Sequence, residues 1–159
     1  MKTTSLAWLV LLCAGSLAPP PSAAADANPA LLGRWLTEAH DGKVGIIELE
    51  RAADGSYQGR IVGGNTPTRV DAKNPDPAKR QQLLKGQLIV LALHGDDAGA
   101  LEGGTIYDPD TGRTYKCRIE SIDRDHLKVR GFIGFSLIGR SQTWTRFSGP
   151  SLDLPPPGH

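Results

Sequence analysis

Only two cysteines occur in the 159 residues, Cys13 and Cys117. Cys13 lies inside the apolar run LAWLVLLCAGSLA (residues 6–18), which reads as part of a removable leader. Cys117 is then left with no intrachain partner, and no internal disulfide can staple the fold. A lone thiol in an oxidising compartment is safest as a small apolar core residue. Charge of one sign is missing too. Without Lys2, which goes with the leader, the chain carries 17 basic and 17 acidic side chains. A neutral chain leaves no electrostatic footprint for nucleic acid or an anionic membrane. No apolar run reaches the roughly 20 residues that cross a bilayer as a helix. There is no His-x-x-x-His and no Cys/His pair at zinc-ligand spacing. GFSLIG (residues 134–139) has one residue too many after Ser136 for the G-x-S-x-G nucleophile elbow. His40, His94 and His126 sit beside turn residues (HDG, HGDD, DRDH) and read as solvated loop histidines, and His159 is in the tail. These absences leave no catalytic residue, metal or cofactor to nominate, and they argue against an enzyme.

What is present begins with an export signal. Met1 to Thr4 carry one lysine and no acid, the short apolar run follows, and Pro19 to Pro21 break any helix. Ala23-Ala24-Ala25 supplies a small-x-small cleavage site, so residues 1–25 read as a signal peptide and the mature chain as starting at Asp26. The run is too short for a membrane anchor. Leu12 before Cys13 is not the small residue that lipid attachment needs. The expected address is the periplasm or the medium, with no stable membrane insertion after cleavage. Residues 26–32 and 148–159 are rich in proline and small residues and are expected to be flexible tails around one domain, 33–147.

Within that domain the pattern is β. Strands are expected at 33–38, 44–50, 57–62, 88–93, 103–107, 114–122, 126–133 and 141–147. TYKCRIESI (114–122) alternates well, with Tyr115, Cys117 and Ile119 on one side and Lys116, Arg118 and Glu120 on the other. VGIIELE (44–50) alternates imperfectly. Asp54-Gly55 and DPDTG (108–112) mark turns. One segment departs from this pattern. Asp76 can cap, Pro77 suits a first helical position, and Ala78 to Lys85 favour a short helix before Gly86. About eight short strands at such spacing suggest a sandwich or a closed barrel.

Two motifs invite a sharper reading and do not support it. RGFIGFSL (130–137) resembles an RNA-recognition strand, but its phenylalanines, Phe132 and Phe135, are three apart and point to opposite faces of a regular strand. Asp108-x-Asp110-x-Gly112 resembles a calcium loop, but glycine arrives one position early, and a β-turn fits better.

Gly33-Arg34-Trp35 opens the first strand and Trp144-Thr145-Arg146 lies on the last. In a closed barrel those strands are neighbours, and a guanidinium can cover an indole face. Trp35, Trp144 and Arg146 are therefore expected to plug one end. A G-x-W start with a late arginine resembles lipocalin-like (calycin) barrels. GRW (33–35), GRIV (59–62), DAKNPD (71–76), LLKG (83–86), GGTIYDPDTGRTY (103–115) and LKVRGFIGFSLIGRSQTWTR (127–146) together resemble the exported bacterial family called domain of unknown function 2147. Leu101 departs from it, where a tryptophan is expected before the glycine pair. The resemblance implies a fold like that of lipocalins and fatty-acid-binding barrels, and no catalytic residues.

The expectation is thus an all-β chain: a single antiparallel, lipocalin/calycin-like β-barrel of about eight strands with one short helix insertion. It would bind a small apolar ligand such as a lipid or fatty acid. Candidate polar anchors are Asp71, Asn74, Tyr107, Asp108, Arg130 and Arg146, each with a structural role as its rival, and the segment 76–85 is a candidate lid. A barrel filled by side chains would instead be a structural or protein-interaction module of the envelope, and an enzyme of unrecognised class, the least favoured alternative, would need Asp71 and Asp108, or a histidine, to converge in one pocket. Nothing in the sequence fixes an oligomeric state, though an exposed Cys117 could join two chains.

Overall fold

The computed structural model describes residues 29–134 and 138–156. The expected signal peptide and Phe135 lie outside the described residues. After a single 3-10 turn (Pro29–Leu31), eight strands follow in order: β1 (Gly33–Leu36), β2 (Gly45–Arg51), β3 (Tyr57–Gly64), β4 (Leu88–Gly95), β5 (Leu101–Asp108), β6 (Arg113–Ser121), β7 (His126–Phe132) and β8 (Gly139–Arg146). Each pairs antiparallel with the next, and β8 returns to β1 through Trp35↔Arg146 and Leu36↔Thr145. The result is a closed barrel, and among the described residues every strand has a neighbour on both sides. The connections β1–β2, β3–β4, β5–β6 and β7–β8 gather at one end. The connections β2–β3, β4–β5 and β6–β7, with both chain ends of the barrel, gather at the other.

Alternation decides which side chains fill the interior. On β6, Cys117 and Ile119 are buried while Lys116 is exposed. Trp35, Leu49, Leu93, Leu101, Ile119 and Leu127 are almost wholly buried and form much of one interior cluster. Each such side chain contributes about 1.5–3 kcal/mol relative to exposure. Leu101 fills the place where the family resemblance implies a tryptophan. Cys117 belongs to this cluster, and burial pushes its thiol up to about 12, which makes it inert at neutral pH. The imperfect alternation of β2 has a local cause. Ile46 and Ile47 are consecutive and point to opposite faces of β2, and both faces are covered there. Ile47 joins the interior cluster, whereas Ile46 is buried apart from it, beside Gly63.

Two expectations need correction. The helix expected through Lys85 is a single 3-10 turn, Pro77–Lys79. Its start is as expected, since Asp76 accepts a 3.0 Å hydrogen bond from the Ala78 amide. It stops early because the chain doubles back and pairs with the earlier part of the β3–β4 connection. Asp71 N donates to Gln82 O and Leu84 N to Arg69 O, both at 2.9 Å, around a Val70↔Leu83 bridge. Those groups are then lost to any i→i−4 ladder. The C-terminal tail is also not free throughout. Gly64 N donates to Leu152 O at 2.8 Å, Leu154 N donates to Gly64 O at 3.0 Å, and Lys85 pairs with Asp153 at 2.7 Å. A Cβ at Gly63 would stand 2.0 Å from the Leu152 carbonyl oxygen, so glycine is what lets the tail lie there.

Candidate functional site

The interior is filled at one end and open at the other. At the closed end the Arg146 guanidinium lies 4.1 Å from the centroid of the Trp35 ring. Its Nε donates to Arg124 O at 2.9 Å and its Nη1 to Leu32 O at 3.3 Å, while Nη2 donates to Ala30 O at 2.5 Å. The Trp35 indole N–H donates to Leu31 O at 3.0 Å. Arg146 thereby ties the chain that precedes β1 beneath the barrel.

Toward the other end a cavity of about 530 Å³ opens. Its apolar wall includes Ile47, Ile61, Ile89, Ile106, Val129 and Trp144. Its mouth is formed by the four connections that meet there. The β5–β6 turn is built first. Asp108 Oδ1 accepts from Asp110 N at 2.8 Å, and Asp108 Oδ2 accepts from Thr111 Oγ1 at 3.0 Å. Gly112 closes the turn at φ 70°, and a Cβ there would stand 2.0 Å from Lys73 O. The β3–β4 connection can therefore press against the turn.

Asp110, projected by this turn, joins three of the four connections. Its Oδ1 accepts from Lys43 Nζ (β1–β2) at 3.1 Å and from Arg69 Nη2 (β3–β4) at 2.7 Å. Lys73 Nζ donates to its backbone carbonyl at 2.6 Å. The Nδ1 of His40 lies 3.7 Å from Asp110 Oδ2, too far for a hydrogen bond, and has no hydrogen-bond partner among the described residues. Partial burial pushes the Asp110 carboxyl up. The Lys43 hydrogen bond and the charges of Arg69 and Lys43 outweigh it and hold the group below the ordinary carboxylate value. His40, Lys43, Arg69 and Asp110 all line the mouth.

The model of the bacterial family described as "Uncharacterized protein conserved in bacteria (DUF2147)" matches residues 33–146. The chain belongs to this family. A solved structure, protein HP1028 from the human pathogen Helicobacter pylori, described as belonging to the lipocalin family, is similar with a TM-score of 0.67. It is 22% identical, over 74% of this chain and 83% of that one. At this identity the likeness shows the fold, a closed lipocalin-like barrel of eight antiparallel strands. No curated protein matches the sequence.

In this DUF2147 barrel the sequence candidates fall into separate places. Tyr107, Asp108 and Trp144 line the cavity. Asp108 spends both carboxylate oxygens on its own turn. Asp71 and Asn74 do not line the cavity. Asp71 is fully buried, and its two oxygens accept from the Tyr107 hydroxyl at 2.7 Å and from Asn74 Nδ2 at 2.6 Å. This pins the β3–β4 connection to β5, and burial with the Asp71 hydrogen bond raises the Tyr107 phenol above its ordinary value. Arg130 is on the outer face of β7, where it donates to Ser141 Oγ at 3.1 Å. Arg146 is at the closed end, remote from the mouth. Trp144 is a wall of the cavity rather than part of the plug. Phe132 lines the mouth. The sequence reasoning missed His40, Lys43, Arg69 and Asp110. The signal available was DPDTG itself, a turn that presents one acid to its neighbours.

Proposed function

We propose that this DUF2147 protein is a non-enzymatic barrel, acting in the periplasm or the medium, that binds one small, largely apolar ligand. The observation that carries this reading is the open-ended cavity of about 530 Å³ with isoleucine, valine and tryptophan on its wall. Its volume falls in the range of roughly 300–1,000 Å³ typical of ligand pockets, with an apolar body and few polar groups at the entrance. Eight-stranded barrels are of a size to hold one small ligand. The lipocalin-like fold supports the same reading. Three carboxylates near the cavity are engaged elsewhere: Asp71 with Tyr107 and Asn74, Asp108 with its turn, Asp110 with cations. Export rests on the leader-like residues 1–25.

Mass spectrometry of the purified protein under native conditions is the direct test, followed by titration with a fluorescent fatty acid. The expected result is one apolar molecule per barrel, carried through purification or taken up saturably. The same spectrum, on protein recovered from the producing cells, is expected to show a chain beginning at Asp26. Absence of both co-purified ligand and saturable uptake across several apolar ligands would sink the binding reading and leave an interaction module of the envelope.

A further inference from the structure

At the mouth, two cations keep hydrogen-bond donors that Asp110 does not take up. Arg69 spends one N–H of its guanidinium on Asp110, and Lys43 spends one of its three on the same oxygen. Lys73 is committed to the Asp110 backbone. Both Lys43 and Arg69 are about seven-tenths buried, with side chains 30% and 27% exposed, so they are held in place rather than waving in solvent. His40 Nδ1, also on the lining, has nothing to bond among the described residues. Thr111 and Tyr115, whose hydroxyls lie 3.5 Å apart, also belong to the lining. Below this ring the wall is apolar. The polarity therefore changes along the cavity, from a largely apolar wall to a charged mouth whose acids are engaged: Glu38 accepts from the Thr143 amide, Asp108 from its own turn, and Asp110 from Lys43 and Arg69, which keep donors to spare.

Resting on the reading of the cavity as a ligand site, we propose that its ligand is a single-chain amphiphile with an anionic head. The chain lies against Ile47, Ile89, Ile106 and Trp144, and the head takes the spare donors of Lys43 and Arg69. Asp110 is the stand-in. It satisfies the two cations while the site is empty and shares or yields them when an anion arrives. Charge-assisted bonds of this kind are the strong ones, and Arg69 can meet a carboxylate or phosphate through two N–H groups at once. A neutral or cationic head would instead leave the donors unpaired or meet like charge.

The test compares laurate, dodecyl phosphate, dodecanol and dodecyltrimethylammonium on the full mature chain, by displacement of a fluorescent probe at low salt. The expected order is anions first, then alcohol, then cation, with about tenfold or more between laurate and dodecanol. The relative affinity of laurate and dodecyl phosphate tells a carboxylate head from a phosphate one. The double variant Lys43→Met/Arg69→Met is expected to lose the preference for anions while keeping dodecanol affinity. Asp110→Asn removes the competing carboxylate and is expected to raise the laurate-to-dodecanol ratio. That increase is not expected if Asp110 only holds the loops together. Equal binding of laurate and dodecanol by the unmodified protein overturns the head-group proposal while leaving the cavity reading intact. No binding of any of the four overturns the cavity reading itself.

Discussion

The two ends of the barrel put the same kind of side chain to opposite uses. At the closed end Arg146 gives its donors to the carbonyls of Ala30, Leu32 and Arg124 and lays its plane over Trp35. Those acceptors are backbone, fixed by the fold, and the indole beneath is fully buried. At the open end Lys43 and Arg69 share one oxygen of a side-chain carboxylate. Donors spent on backbone carbonyls are committed to structure. Donors that share a carboxylate can change partner at modest cost, because one anion can replace another. On the proposed function, one end of this barrel stays shut and the other exchanges its anion.

The most damaging way to test this division is at the plug. Trp35→Ala removes a fully buried indole from between the barrel strands and Arg146. The expected loss is about 3–5 kcal/mol of unfolding free energy, read from denaturant midpoints at constant slope. Ligand affinity per folded molecule should stay as it was. Arg146→Met is the next largest. It keeps part of the apolar stem but removes one donor from each of the carbonyls of Ala30, Leu32 and Arg124 and takes the cation from the ring. A loss of about 1–3 kcal/mol is expected, again with unchanged affinity. If Arg146→Met weakened ligand binding and spared stability, the ends would not be separate devices and the comparison would fall.

The closed end was legible in the sequence because it depends on local periodicity and closure. Trp35 and Arg146 lie on the first and last strands, and any closed meander brings those strands together. The mouth was not, because it depends on where three turns end up in space. Asp110 is 67 residues from Lys43 and 41 from Arg69, and each looks like an ordinary loop charge. Asp71 and Asn74 stand out in DAKNPD, yet their bonds point into the β3–β4 connection and to Tyr107, not into the cavity. The helical signal after Asp76 was right about the cap and wrong about the length. A cap is a matter of neighbouring residues, while the Val70↔Leu83 bridge that ends the helix is not. The exposed apolar side chains of Ile133 and Ile138 belong to the same class, since sequence alone could not say whether the β7–β8 connection folds over the mouth or stands clear of it.

The smallest expected effect separates the ends by what they lean on, because the clasp rests on a carboxylate while the hydrogen bonds of the plug go to backbone carbonyls. Asp110 has its folded carboxyl held below the ordinary value of 3.8, with partial burial opposing and Lys43 and Arg69 prevailing. A carboxyl lowered in the folded state contributes stability that is fully present above its unfolded value and is lost as pH falls through the folded one. The clasp should therefore stabilise the barrel fully above the ordinary carboxylate range of about pH 4 and lose that contribution as the pH falls below it. The side chains involved remain partly open to water, so the contribution is expected to be under about 1 kcal/mol and to shrink with added salt. The measurement is the unfolding free energy of the unmodified protein minus that of Asp110→Asn across this range. The difference should fade toward the acid end. The corresponding difference for Arg146→Met should change less than a plug built on ion pairs would, because the carbonyls that Arg146 satisfies have no proton to gain and its carboxylate neighbour, Asp125, is exposed and 3.8 Å away. A plug whose contribution faded with the clasp would mean that both ends rest on charge, and that the carbonyl bonds at the closed end matter less than their geometry implies.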